Sequence, residues 1–260
     1  MNKQFLDNTG LLAGEQNMPK HVAVVMDGNG RWAQQQNMSR TSGHRKGVDS
    51  AWSLVKSCLA YDIPNLTLFA FGQENWKRPS QEVRNIFRIF YLALKREISR
   101  LHNESVKLRV VGDRSALAPA LRDAIEAGEN LTQHNTALTL NIAVNYSGRW
   151  DIMQAVNQLL THRLAQGDVD TTPVSESDLE RYLSFYGLPE PELFIRTSGV
   201  QRMSNFMLWN LAYSEMYFTP TLWPEFDLDV FKKALTFYAG CERRFGLTSE
   251  QVALCSNTEF

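Results

Sequence analysis

The feature that most limits what this chain can fold into is an alternation of short, β-rich apolar runs with longer runs of helical spacing. Residues 21–27 (HVAVVMD), 65–71 (NLTLFAF), 106–112 (VKLRVVG) and 137–146 (ALTLNIAVNY) are rich in Val, Leu, Ile and Phe and read as strands. Residues 192–197 (ELFIRT) and 214–218 (SEMYF) read as weaker ones. Between them, 46–62, 81–104, 116–133, 149–165 and 227–240 show helical spacing; in 81–104, Val83, Ile86, Phe87, Phe90, Tyr91, Leu94 and Ile98 recur at three- and four-residue steps. Strands alternating with helices argue for a mainly parallel sheet covered on both faces. The expected fold is α/β, with a central sheet of about six strands flanked by helices.

The stretch 165–178 (AQGDVDTTPVSESD) reads as a long loop, an insertion rather than a linker, with Ser177 or Asp178 capping a helix. No repeat or low-complexity tract divides the chain. One domain over 20–250 is expected, after a flexible polar leader (1–19) and before a C-terminal tail (251–260). The charge balance is even, 27 Lys and Arg against 28 Asp and Glu, with 43% hydrophobic residues. That excludes a disordered chain and a protein that coats nucleic acid. Cys58, Cys241 and Cys255 form no CxxC pair, so neither a disulfide framework nor a thiolate zinc site is expected. The leader lacks the apolar core of a signal peptide, and no apolar run nears the ~18 residues of a membrane span. The expected location is the cytoplasm.

In open parallel sheets ligands bind beyond the carboxyl ends of the strands. Three polar clusters fall at such ends. The first, Asp27-Gly28-Asn29-Gly30-Arg31-Trp32, puts a carboxylate at a strand tip, then two glycines that let backbone N–H groups approach an anion. No acid occurs from Gly28 through Val48, a stretch carrying Arg31, Arg40, His44, Arg45 and Lys46. Cations and free donors at a helix start suit phosphate oxygens, and Asp27 among them suits a Mg²⁺ that bridges to phosphate. The glycines fit neither a dinucleotide fingerprint nor a phosphate-loop NTPase, and an EF-hand fails at Arg31 and Trp32. Taken alone, DGNG reads more simply as a tight turn before a solvated basic helix.

The second cluster, Phe71 through Pro79 (FGQENWKRP), offers Arg78 as a fork for phosphate, Asn75 as a neutral polar group and Trp76 as an apolar wall. The plain reading of Trp76 and Pro79 is loop packing. The third runs from Arg196 to Ser204, inside a second acid-free stretch, 193–214, closed by Glu215. Arg196, Arg202 and the hydroxyls of Thr197, Ser198 and Ser204 make a second anion pocket. His44, beside Arg45 and Lys46, reads as a phosphate donor or proton source. His102, His134 and His162 read as structural.

Together the segments HVAVVMDGNGRWA, SRTSGHRKG, LTLFAFGQENWKRP, NIAVNYSGRWDI, FIRTSGVQRMSNFMLWNLAYSEMYF, LWPEF and ERRFG resemble the cis-prenyltransferase family, in order and over residues 20–246. The resemblance implies a homodimer with a hydrophobic tunnel and Mg²⁺ as cofactor. It implies repeated addition of isopentenyl diphosphate to an allylic diphosphate, farnesyl diphosphate at first, forming Z double bonds. Asp27 and Asn75 are then the catalytic residues, with Asp27 and Glu215 as Mg²⁺ ligands. Gly28, Asn29, Gly30, Arg31, Arg40 and His44 are expected to bind the allylic diphosphate. Trp32 and Trp76 are expected to line the cleft, and Gly72, Gln73, Glu74 and Arg78 to bind substrate, Arg78 acting on diphosphate from a mobile second loop. Arg196, Arg202, Met203 and Ser204 hold isopentenyl diphosphate. An amide is no base near neutral pH, so Asn75 is expected to orient or relay, the proton ending on a diphosphate oxygen or Asp27.

Two positions depart from the family's pattern. Gly72 stands where serine is usual, and Val200 where an acid is usual. Residues 81–104, 65–71 and 137–146 are expected to wall the tunnel. The product is expected to be a long polyprenyl diphosphate of the undecaprenyl type, a lipid carrier precursor for cell-wall polysaccharide, with transient contact to a membrane surface on release. A short-chain synthase and a non-catalytic lipid-diphosphate-binding subunit are the rival readings. A trans-type synthase is disfavoured because no DDxxD occurs.

Overall fold

A computed structural model of the chain describes residues 18–165, 173–244, 246–248 and 250–251. Nearly all of the expected leader and tail, part of the 165–178 loop, Cys255 and Phe245 of the ERRFG segment lie outside the described residues. Six strands form one parallel sheet in the order β3-β4-β2-β1-β5-β6. They are β1 (His21–Val25), β2 (Asn65–Gly72), β3 (Val106–Val111), β4 (Leu138–Tyr146), β5 (Leu193–Arg196) and β6 (Glu215–Phe218). The helices are α1 (Asn29–Gln35), α2 (Arg40–Ala60), α3 (Ser80–Asn103), α4 (Pro119–Thr132), α5 (Gly148–Ala165), α6 (Glu176–Glu180) and α7 (Leu228–Ala239).

The strand runs are continuously apolar because both faces are covered. In β1, Val22 and Val24 enter a core shared with Leu54 and Val55 of α2, Leu94 of α3, Ile125 of α4 and Phe231 of α7. Ala23 and Val25 point the other way, into a smaller core with Phe185, Phe194 and Phe206. Each fully buried side chain of this size contributes about 1.5–3 kcal/mol, so a charge at Val24 would disrupt the larger layer.

α2 starts six residues before the expected position. Ser39 caps it by accepting the Ser42 N–H at 3.3 Å. The opening residues RTSGHR are polar, which hides the turn from a hydrophobic-period reading, yet they place Arg40 and His44 on a fixed helical face. Two buried glycines of this helix receive α1. A Cβ at Gly43 would stand 2.0 Å from the Asn29 carbonyl oxygen, and one at Gly47 2.3 Å from Asn29 Oδ1. The cap of α6 also differs from expectation: Ser175 accepts the Asp178 N–H, and Asp178 accepts the Ser175 N–H in return, a capping box two residues before Ser177.

Candidate active site

The carboxyl ends of β1, β2 and β5 are adjacent in the sheet, so the three polar clusters converge. They rim a cavity of about 910 Å³ that runs from Asp27, Arg40, Arg78 and Arg196 down between α2 and α3 to Leu108 and Leu140 near the amino ends of β3 and β4. α3 supplies Ile86, Phe90 and Leu94, and β2 and β4 supply Leu68, Ala70 and Ile142. The walls expected for a tunnel therefore do line one space, polar at its mouth and apolar below.

Asp27 sits two residues past the end of β1. The Thr197 hydroxyl, just past β5, donates to the Asp27 carbonyl at 2.6 Å and accepts the Asp27 N–H at 2.9 Å, so the two strand tips are tied together. The Asp27 carboxylate accepts from Arg196 Nη2 at 3.0 Å and lies 3.4 Å from Arg31 Nη2. Burial opposes its ionisation, but the hydrogen bond and charge of Arg196, with Arg31 behind it, prevail and hold the carboxyl below its usual range. Arg196 is itself buried, and its Nη1 donates to the Arg202 carbonyl at 2.5 Å and to Ser204 Oγ at 2.6 Å. In this structure Arg196 therefore clamps Asp27 to the third cluster, and Arg202 supplies the exposed guanidinium on the cavity rim.

Gly28 turns the chain into α1 with φ +110°, and a Cβ there would meet Leu222 at 2.9 Å. The first N–H groups of α1 have no acceptor within the helix, and Asn29, Gly30 and Arg31 line the cavity. Across the mouth, Glu82 in the first turn of α3 gathers the cations of the first two clusters. Arg40 Nε lies 3.2 Å from Oε2, and Arg78 Nη1 3.3 Å from Oε1. His44 Nε2 stands 3.9 Å from Oε1, beyond hydrogen-bond reach, and is buried with no hydrogen-bond partner among the described residues. Burial and the charge of Arg78 push His44 down to about 4 against the opposing pull of Glu82. His44 is thus a neutral ring near pH 7, suited to donating a hydrogen bond; the proton-source role expected for it does not fit this environment.

The second cluster forms a 3₁₀ turn over Gln73–Lys77. Asn75 Oδ1 accepts the Gly72 N–H at 3.0 Å, which leaves its NH₂ as the group available to a ligand. Gln73 accepts from Ser147, Glu74 from Asn205 at 2.6 Å, and Asn145 from the Trp76 indole at 2.7 Å. The Trp76 ring also packs on Phe71 and Phe87. A Cβ at Gly72 would meet Phe69 Cζ at 2.9 Å, and Phe69 is stacked on Phe206, so glycine here goes with the ring beside it. Nothing in the structure explains Val200.

Several expected site residues stand off the cavity wall. Trp32, Gln73, Trp76 and Met203 do not line it. Trp76 serves as a staple of the loop, and Met203 packs on the smaller core. Glu215 needs a larger correction. It pairs with Leu193 at the amino end of β6, whereas Asp27 lies two residues beyond the Val25–Arg196 pair at the other end. Five steps at ~3.3 Å separate them by about 16 Å. Glu215 and Asp27 of one chain do not hold the same ion. Sequence reasoning missed Glu82 and Arg149, which lines the mouth from the start of α5. The signal for Glu82 was its place one turn after Arg78.

The sequence profile of a family described as "Putative undecaprenyl diphosphate synthase" matches residues 25–246. An isoprenyl transferase of Nitrosomonas europaea is 46% identical over 91% of this chain and 88% of that protein. A ditrans,polycis-undecaprenyl-diphosphate synthase of Vibrio cholerae, named as specific for (2E,6E)-farnesyl diphosphate, is 46% identical over 92% and 96%. Among solved structures, lavandulyl diphosphate synthase of Lavandula x intermedia, in complex with dimethylallyl diphosphate, superposes with TM-score 0.84 at 33% identity, covering 88% of this chain and 98% of its own. A probable undecaprenyl diphosphate synthase of Campylobacter jejuni gives 0.74 at 33% identity, over 88% and 99%.

Proposed function

The chain belongs to the undecaprenyl diphosphate synthase family, and on that premise we propose that it adds isopentenyl diphosphate repeatedly to farnesyl diphosphate, in cis, to make a long polyprenyl diphosphate of the undecaprenyl type. The observation that carries the reading is one space of about 910 Å³ with two characters: a cationic rim at the strand ends and an apolar shaft below it. Each addition breaks the allylic C–O bond, forms a C–C bond, and releases one diphosphate and one proton. Arg31, Arg40, Arg78 and the first turn of α1 receive the allylic diphosphate as negative charge grows on its leaving oxygen. Arg202 and Ser204 hold isopentenyl diphosphate across Asp27, with Arg196 fixing both loops.

Mg²⁺ fits this rim, because it takes one or two carboxylates plus substrate oxygens, and Asp27 is a half-buried carboxylate kept ionised. Among the described residues no group of three or more His, Cys, Asp or Glu could cage a metal, which suits an ion completed by substrate. Bound there, Mg²⁺ supplies charge neutralisation for a diphosphate. Asp27 is a weak base beside Arg196, and the Asn75 carbonyl is already engaged, so the proton goes to a diphosphate oxygen.

The protein works in this reading as a cytoplasmic homodimer whose product is the carrier precursor for cell-wall polysaccharide. No helix of the described residues is long and apolar enough to cross a membrane, so contact with a bilayer at product release is peripheral. The test is incubation with Mg²⁺, farnesyl diphosphate and labelled isopentenyl diphosphate, followed by chromatography of the product. A long polyprenyl chain is expected. No incorporation by folded protein would favour the non-catalytic subunit, and a product stopping after one or two additions the short-chain synthase.

A further inference from the structure

The helix that walls the shaft carries a second face. Around α3, at 100° per residue, Arg84, Lys95, Arg88, Leu92, Arg96 and Arg100 follow one another over an arc of about 160°, and all six are exposed. Leu92, 53% exposed, sits mid-arc with Arg88 one turn before it and Arg96 one turn after. The only carboxylates of α3, Glu82 and Glu97, are turned inward at 15% and 16% side-chain exposure. A solvated helix face ordinarily mixes both signs; this one offers five cations around an apolar residue and no acid of its own. Arg96 and Arg100 do have local partners, Glu97 and Asp49, while Arg84 donates to the neutral Gln81 and Lys95 lies over the Tyr91 ring.

A second observation lies on the same side. A smaller cavity between α2 and α3 is lined by Asp49, Trp52, Arg96, Glu97 and Arg100. Trp52 and Glu97 also line the main cavity, so at this seam the two spaces share a wall. The Arg100 guanidinium lies 4.0 Å over the Trp52 ring and closes the seam from outside. The cationic arc thus borders the place where the two cavities share Trp52 and Glu97.

We propose that the outer face of α3 docks the protein on a bilayer that contains anionic lipid. The arginines and Lys95 meet lipid phosphates while their stems and Leu92 enter the headgroup boundary, which turns the Trp52–Glu97 seam toward the membrane. The purpose of the docking, delivery of a lipid product, rests on the function proposed above; the docking itself is measured without substrate, so the two fail separately.

The experiment is co-sedimentation of the full chain with phosphatidylcholine vesicles, with and without phosphatidylglycerol. Binding is expected only with the anionic lipid. Each basic residue near such a surface contributes about fivefold in affinity, so Arg84→Gln, Arg88→Gln and Lys95→Gln together are expected to weaken binding on the order of 100-fold. Leu92→Ser alone weakens it to a smaller extent. The control removes three exposed cations elsewhere, Lys20→Gln, Arg181→Gln and Lys233→Gln, and keeps wild-type binding. Equal loss in the control, or retained binding in the α3 variant, overturns the proposal.

Discussion

Glu82→Gln is the most informative single change at the mouth. The carboxylate holds Arg40 at 3.2 Å and Arg78 at 3.3 Å, two of the cations proposed to receive the allylic diphosphate. Glutamine keeps the size and removes the charge. The Arg40 and Arg78 side chains are 50% and 38% exposed, so each pair is of the solvent-screened kind, about 0.2–1 kcal/mol. Freeing both contributes up to about 2 kcal/mol, and a diphosphate no longer sits beside an anion. Titration calorimetry with inorganic diphosphate and Mg²⁺ is expected to show binding tighter by ~2- to 30-fold, with a lower KM for farnesyl diphosphate. The gain should shrink as salt is added, because the pairs are near the surface. Weaker binding in the variant would refute the reasoning: Glu82 would then be holding the two arginines in their binding geometry rather than competing for them.

Arg196→Gln removes the group that keeps Asp27 ionised. Asp27 has its carboxyl lowered in the folded protein, so the clamp's stabilisation is present above the unfolded value and lost as pH falls through the folded one. In the variant the acid limb of the kcat/KM profile should move to higher pH; an unmoved limb assigns it to another group. Gly43→Ala places a methyl 2.0 Å from the Asn29 carbonyl and must displace α1 from α2. Turnover should drop on the order of 100-fold, checked by labelled incorporation alongside circular dichroism. His21, buried between the Pro189 carbonyl and Thr67 Oγ1, is lowered by burial from 6.5 to about 4. The unfolded chain binds the proton more readily in that window, so stability falls as pH drops from 6.5 toward 4, by about 3 kcal/mol from this group. Urea titrations of His21→Asn over the same range should show a shallower fall.

Much of the fold is legible because the sheet is buried on both faces, which makes each strand a nearly unbroken apolar run. The convergence of the three clusters is legible for a related reason: in a parallel sheet every loop that follows a strand emerges at the same pole. Glu215 marks where the reading needed that same rule. It precedes the apolar residues of its strand, so it belongs to the opposite pole, however well it borders an acid-free stretch. Glu82 was hidden differently. An acid in a helix's first turn is ordinary on dipole grounds, and its partners Arg40, His44 and Arg78 come from two other segments. The Arg196 clamp on Asp27 was equally invisible, since 169 residues separate the pair.

α3 spans the whole shaft, with Glu82 at the mouth and Leu101 among the last residues to line it, about 28 Å away along the helix axis. In the reaction proposed above, bond making at the rim and accommodation of the growing chain at the floor would fall at opposite ends of one helix. On that proposal a change near Leu101 or Leu108, which line the floor, is expected to alter which lipid leaves without altering how the bond is made.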